Sequence, residues 1–219
     1  MTILGWSTFV FRVRAQYRPL PLAMFSMACA VSCLAAAASE GPSDQVKARR
    51  AAVDELARST AAAAGARLFG YLGDEDPYTR GAAAEQLGRK KAPGALGALT
   101  TALGSEDRNT RWGAVDGLAE LGDPRAVPAL ISLLRHADKT TRWKAVVALG
   151  KLGDKRAVDG LSGALGDAYA PVRYAAAEAL GGIGGAKSAE ALRARRSDSD
   201  AKLRALCQEI LSAEAHGRK

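Results

Sequence analysis

The chain has 219 residues and a formal net charge of +8, with 48% hydrophobic but only 5% aromatic residues. Strand-forming runs rich in Val, Ile and Thr are absent, which argues against a sheet and predicts an all-helical protein. Two of the three cysteines lie before residue 39, so Cys207 has no partner for an internal disulfide and no disulfide framework is expected.

Residues 1–38 are predicted to be an export signal. The first 18 residues carry three arginines and no acid, and residues 20–38 are apolar and small, ending in Ala-x-Ala. A lipoprotein leader with Cys33 as the lipidated residue and an uncleaved anchor are alternatives. We expect an exported protein, periplasmic or lipid-anchored at the bacterial cell envelope, or a cytoplasmic one if the leader is no signal. Residues 39–43 are expected to be a short linker.

A 31-residue repeat fills residues 44–216 and leaves a tail at 217–219. TRWGAVDGLAELGDPRAVPALISLL begins at Thr110, and TRWKAVVALGKLGDKRAVDGLSGAL begins at Thr141. Arginine keeps this period at positions 49, 80, 111, 142, 173 and 204. A fixed period in the range of about 20–50 residues predicts a solenoid, in which each unit packs on its neighbours.

Each repeat is predicted to hold two antiparallel helices, formed by segments of 11–15 residues. The Arg-bearing helix has one buried stripe, formed by Thr110, Ala114, Val115, Leu118 and Leu121. The second helix buries Val127, Leu130, Leu133 and Leu134. Asp123 and Asp154 occupy N-cap positions. Glycines are expected to end the Arg-bearing helices in a left-handed conformation, at Gly122, Gly153 and Gly184.

The pattern resembles the HEAT-repeat family, in its short bacterial form of the phycobilin-lyase type. The motifs are D-x-x-x-R at 107–111, R-x-x-A-x-x-x-L-G at 142–150 and G-D-x-R-A-V-x-x-L at 122–130. The resemblance covers residues 43–215. It implies a right-handed α-solenoid of about five stacked antiparallel helix pairs, with the Arg-bearing helices on the concave surface. A shared fold does not fix the function.

The resemblance also implies a structural ladder, in which Asp and Arg side chains hydrogen-bond along the turns between repeats. Its members would be Arg80, Arg111, Arg142, Arg173, Asp76, Asp107 and Asp138. An anion-binding row of arginines is the functional alternative. Tyr169 stands where the next acid should be, so we expect the ladder to be weakest there.

No catalytic constellation is found. Di-iron hydroxylases of this family use His-Glu pairs, but the two histidines here, His136 and His216, are not followed by Glu. Cys207 takes a position that is Ala in other repeats, which indicates a core residue. We therefore expect no enzymatic activity, no metal and no cofactor.

The position after the repeated arginine holds Gly81, Trp112, Trp143, Tyr174 and Ala205. We expect the three aromatic rings to form a column on the concave surface. Positions around them vary between repeats: Asp116, Lys144, Lys151, Val147, Glu178, Gly113 and Ala175. Variable inward positions form the binding surface of a solenoid, and Trp and Tyr are common interface hot spots. The prediction is a non-catalytic scaffold for a protein or peptide partner. The alternative is that each ring fills a groove on the neighbouring repeat.

Two other functions remain as alternatives. An accessory or lyase-like role in cofactor attachment would fit the family resemblance. Nucleic-acid binding would fit the aromatics interleaved with Arg108 and Lys139. It is disfavoured because Asp116 and Glu120 share that face and export would remove the protein from nucleic acid. Membrane contact is expected only through a lipid anchor.

Overall fold

The computed structural model describes residues 42–216, and within that range it is helical and contains no strand. The predicted export signal at residues 1–38, including Cys33, lies outside the described residues. The chain divides into two compact units between Ala48 and Arg49. The described part of the first unit is the start of helix α1, which begins at Pro42, two residues before the predicted boundary. The second unit contains the repeats.

Eleven α-helices follow one another between residues 42 and 216. They are α1 (Pro42–Arg58), α2 (Ala62–Gly70), α3 (Pro77–Arg89), α4 (Ala95–Ala102), α5 (Arg108–Leu121), α6 (Val127–Ser132), α7 (Lys139–Leu152), α8 (Val158–Ala164), α9 (Ala170–Ile183), α10 (Ala186–Arg193) and α11 (Ala201–His216). The Arg-bearing helices α3, α5, α7, α9 and α11 are called the A helices, and α4, α6, α8 and α10 the B helices. Consecutive A helices contact one another, so the predicted all-α solenoid is confirmed.

The B helices are shorter than predicted. The predicted continuous helix 124–134 is an α-helix of six residues, Val127–Ser132, between two 3-10 turns, Pro124–Ala126 and Leu133–Arg135. Asp123 caps the first turn by accepting from the backbone N–H of Arg125. The tighter turns at both ends join the B helix to its neighbours without a long loop.

Two columns of leucines form the core, and both keep the 31-residue period. The A helices bury Leu87, Leu118, Leu149 and Leu180 completely, and the B side buries Leu68, Leu99, Leu130, Leu161 and Leu192 completely. Burial of one such side chain contributes about 1.5–3 kcal/mol. Because each repeat of a solenoid packs only on its neighbours, stacking is needed to bury these columns.

The predicted left-handed helix ends are confirmed at Gly122 and Gly153 and are wrong at Gly184, where φ is 65° but ψ is −168°. Gly122 and Gly153 follow their A helices with φ of 72° and 65° in the left-handed region, which glycine adopts without strain. Asp107 and Asp138 cap the starts of α5 and α7 by accepting from the backbone N–H of Thr110 and Thr141. These ends fix where each A helix presents its first turn, which is where the repeated arginine lies.

Candidate protein-binding surface

Each repeated arginine donates hydrogen bonds to the turn that precedes its own helix. The Nη1 group of Arg111 donates to the backbone carbonyls of Ser105 at 2.6 Å and Glu106 at 3.3 Å. The same pair of bonds, to the residues six and five positions earlier, recurs at Arg80, Arg142, Arg173 and Arg204. A planar guanidinium can satisfy two carbonyls and still reach a further group.

The other nitrogens of these arginines reach into the next repeat. Arg80 and Arg111 donate from Nε to the hydroxyls of Thr110 at 2.9 Å and Thr141 at 3.2 Å. Arg173 pairs with Asp200 of the following repeat at 2.5 Å. Arg80, Arg111 and Arg173 therefore each link two successive turns.

The expectation that the ladder is weakest at Tyr169 is wrong. Asp167, two residues earlier, accepts both Nε and Nη2 of Arg142 at 2.7 and 2.9 Å. This is a bidentate charge-assisted pair, the stronger form of such contacts. Tyr169 itself provides no side-chain cap for α9. In this repeat Asp167 therefore pairs with Arg142, and no carboxylate caps the start of α9.

The Asp138 side chain caps α7 and also contacts the preceding repeat. Its carboxylate accepts from the backbone N–H of Thr140 and Thr141, from the Thr141 hydroxyl at 2.7 Å, and from Trp112 Nε1 at 3.3 Å. Burial raises the pKa of Asp138, but the bonds from Thr141, Thr140 and Trp112 outweigh it and lower the pKa to about 2. The charged form is therefore the one that the fold stabilises.

Acid should weaken the fold in a defined window. The pKa of Asp138 falls from its usual 3.8 to about 2, so its contribution is complete above pH ~4 and is lost as the pH falls towards 2. One such group accounts for at most about 2 kcal/mol. Urea unfolding from pH 6 to 2 should show a smaller loss for Asp138→Asn than for the wild type. Equal losses in both proteins would contradict the assignment.

Trp112 and Tyr174 lie against the following repeat. The Trp112 indole N–H donates to Thr141 Oγ1 at 3.0 Å, and the Tyr174 hydroxyl donates to Asp200 Oδ2 at 2.9 Å. Both side chains are half-buried. Their rings follow the alternative in which an aromatic fills a groove on its neighbour, so the predicted exposed column is wrong at these two positions.

Trp143 differs from Trp112 because its neighbouring repeat differs. The residues one period beyond Asp138 and Thr141, which hold the Trp112 indole, are Tyr169 and Val172. Neither offers a carboxylate or an aliphatic hydroxyl. Trp143 is 38% exposed, and no hydrogen bond of its indole is found among the described residues. Val147, one helical turn further along α7, is 45% exposed.

The polar residues predicted around the aromatics are arranged asymmetrically. Lys144 pairs with Asp116 at 2.5 Å, and Lys151 pairs with Glu120 at 2.7 Å, so both lysines join α7 to α5. Glu178, on α9, is exposed and has no ion pair within the described part of the chain. The carboxylates on the α5 side of Trp143 are therefore neutralised, and the one on the α9 side is free.

Gly113 and Ala175, predicted to lie on the binding surface, are buried. Gly113 faces the backbone carbonyl of Gly81, and Gly88 faces that of Gly117, both so closely that a Cβ would collide with the oxygen. Helices α3 and α5 thus touch backbone to backbone.

Cys207 and the two histidines are the side chains that were considered for catalysis. Cys207 is fully buried, and burial raises the pKa of its thiol. His136 Nδ1 accepts from the backbone N–H of Asp138 at 3.0 Å, whereas the His216 side chain is outside the described atoms. No group of three His, Cys, Asp or Glu side chains suited to a metal occurs among the described residues. In the same part of the chain no helix is long and apolar enough to cross a membrane.

The family assignment follows from this geometry together with sequence comparison. The family model for HEAT repeats matches residues 31–106, 65–141, 98–171 and 127–212. These overlapping matches span most of the chain, so the protein belongs to the HEAT-repeat family. No curated protein matches the chain.

Three solved structures illustrate the likeness. The complex of CpcE and CpcF of phycocyanin lyase from Nostoc sp. PCC7120 is 26% identical with a TM-score of 0.58, over 68% of this chain and 65% of that one. Human deoxyhypusine hydroxylase is 24% identical with a TM-score of 0.50, over 74% and 77%. A designed armadillo repeat protein in complex with the peptide (KR)4 is 17% identical with a TM-score of 0.59, over 80% and 95%. The last two likenesses concern the fold alone.

Proposed function

We propose that this HEAT-repeat protein is a non-catalytic scaffold that binds a protein or peptide segment. The binding site would be the Trp143 surface, defined as Trp143 and Val147 on α7 with the exposed side chains beside them. One observation carries the proposal. Of the three exposed large hydrophobic side chains within residues 42–216, Trp143 and Val147 lie one helical turn apart and the third, Tyr78, is on α3.

Side-chain chemistry supports a binding role for this pair. Residues four apart on a helix face the same way, so the ring and the branched side chain form one apolar patch. A tryptophan buried at an interface centre commonly costs about 2 kcal/mol or more when truncated. The ion pairs of Lys144 with Asp116 and Lys151 with Glu120 supply the polar rim that surrounds such a centre.

The comparisons support a macromolecular partner without naming one. One neighbour, at 26% identity, is a complex of two chains, CpcE and CpcF. Since the chain spans 65% of the length of the matched lyase chain, that protein's whole activity is not carried over. Export is part of the proposal and rests on the leader at residues 1–38; fractionation of cells producing the full chain checks it.

A second candidate is an accessory role in attaching a cofactor to another protein. The likeness to the phycocyanin lyase complex, at 26% identity, favours it. In that case the purified protein would carry or take up a coloured chromophore and absorb visible light. A scaffold without a cofactor would show only the ultraviolet absorption of its tryptophans and tyrosines.

A photo-crosslinking residue at position 147 tests the scaffold function in the native cells. We expect irradiation to give a discrete adduct from position 147 because the side chain there would lie at the interface centre. The same residue in place of Tyr78, which is 59% exposed, should give none. Adding Trp143→Ala should abolish the adduct at 147 while circular dichroism stays helical. An adduct that survives this change, or no adduct at 147, would contradict the proposed function.

A further inference from the structure

The contact between α7 and α9 is repeated, 31 residues later, between α9 and α11. A Cβ placed on Gly150 of α7 would meet the Ala179 side chain of α9 at 2.9 Å, and one on Gly181 of α9 would meet Ile210 of α11 at 2.5 Å. These two contacts are the same contact one repeat apart. Residues at equal repeat positions on α7, α9 and α11 therefore form a regular row.

One such row passes through the Trp143 surface. It contains Glu85, Asp116, Val147, Glu178 and Glu209, each 31 residues after the last. Glu85 pairs with Arg89 on its own helix, and Asp116 pairs with Lys144. Glu178 and Glu209 are exposed, and the described part of the chain gives neither an ion pair. The row is thus neutralised before Val147 and carries two free negative charges after it.

We propose that the segment bound at the Trp143 surface is basic, with a large apolar residue on Trp143 and Val147 and Lys or Arg side chains facing Glu178 and Glu209. This rests on the proposed function and adds the chemistry of the partner. Opposite charges across an interface fix the partner's register and exclude like-charged competitors. The asymmetry of the row also gives a direction, since the basic residues lie on the α11 side of the apolar one.

The distance between neighbouring A helices determines how many residues separate the contacting side chains of the bound segment. Packed helices lie about 8–10 Å apart, and an extended chain advances about 3.3 Å per residue. One repeat therefore corresponds to about three residues of an extended segment. The motif is an apolar residue with Lys or Arg about three and about six positions away.

Three exposed lysines lie on α7 and α11. Lys151, one turn after Val147, is paired with Glu120 at 2.7 Å, and the other two lie at the helix starts. Lys139 and Lys202 sit on the rings of Tyr169 and Tyr174, each 4.9 Å from the ring centre. They precede Val147 and Glu209 by eight and seven residues, which is about 10–12 Å along a helix. A segment that follows the row passes the carboxylates and leaves these lysines at the helix starts.

A displayed library of random twelve-residue peptides tests the inference. Sorting on the wild-type protein should enrich peptides with net positive charge and an apolar residue at the stated spacing. The charge-reversed protein Glu178→Lys/Glu209→Lys should bind those peptides about tenfold more weakly, because two attractive contacts become repulsive. Sorting on the reversed protein should enrich acidic peptides, which no loss of folding could produce.

Two controls separate this inference from the function on which it rests. Trp143→Ala/Val147→Ala should enrich no peptides in common with the wild type. If Trp143-dependent peptides are enriched but are neutral or acidic, or are bound equally by the reversed protein, the inference is overturned and the scaffold function stands. If no enriched peptide depends on Trp143, both are overturned.

Discussion

Replacing Gly113 by alanine should lower the thermal unfolding midpoint by about 6–12 °C, corresponding to about 3 kcal/mol for a domain of this size. The new methyl group would collide with the carbonyl oxygen of Gly81. A carbonyl in a helix cannot rotate away as a side chain can, so α3 and α5 would have to separate. Circular dichroism with temperature measures the change.

Gly97→Ala is the matched control for this substitution. Gly97 lies in α4, and a Cβ there meets nothing within 4 Å. Because alanine is the better helix former, this change should be neutral or stabilise by up to about 1 kcal/mol. Similar midpoints for the two variants would show that α3 and α5 do not pack through their backbones.

Arg142→Lys should cost about 2–3 kcal/mol of unfolding free energy, nearly as much as Arg142→Ala. The guanidinium donates to the carbonyls of His136 and Ala137 at 2.9 and 3.0 Å and to both carboxylate oxygens of Asp167. The single ammonium of lysine keeps the charge but cannot reach the turn and the carboxylate together. Urea unfolding measures the difference.

The comparison variant is Arg125→Lys. Arg125 pairs with Asp123 at 2.6 Å, but its side chain is mostly in water, and exposed pairs contribute at most about 1 kcal/mol. We expect no measurable change there. If Arg142→Lys is as stable as Arg125→Lys, charge alone holds the turns and the fork geometry of arginine is irrelevant.

Most of the fold follows from the sequence because it depends on spacing within one repeat. The 31-residue phase of arginine and leucine, the capping aspartates and the glycines after α5 and α7 are all local features. The continuous B helices were a wrong prediction, since apolar periodicity does not distinguish an α-helix from one that begins and ends in 3-10 turns.

The features that could not be predicted from the sequence depend on which residues of neighbouring repeats meet. Asp167 lies two residues before the position at which the repeat predicts an acid. A comparison of residues 31 positions apart therefore finds only Tyr169 there. The glycine contacts join different positions on α3 and α5, and only the stacking shows which ones meet. The exposure of Trp143 had a signal in the sequence: one period beyond the residues that hold Trp112 stand Tyr169 and Val172.

The contact between α3 and α5 also decides where the stack of A helices can bend. Two backbones in direct contact have no side-chain rotamers between them, so that joint is stiff. The next joints, α5 with α7 and α7 with α9, are filled by side chains such as Lys144 and Ala179, which can tilt or slide. Bending imposed by a bound segment would therefore fall on the joints from α5 onwards, which include both joints of the helix that carries Trp143, and would leave the pair α3 and α5 unchanged.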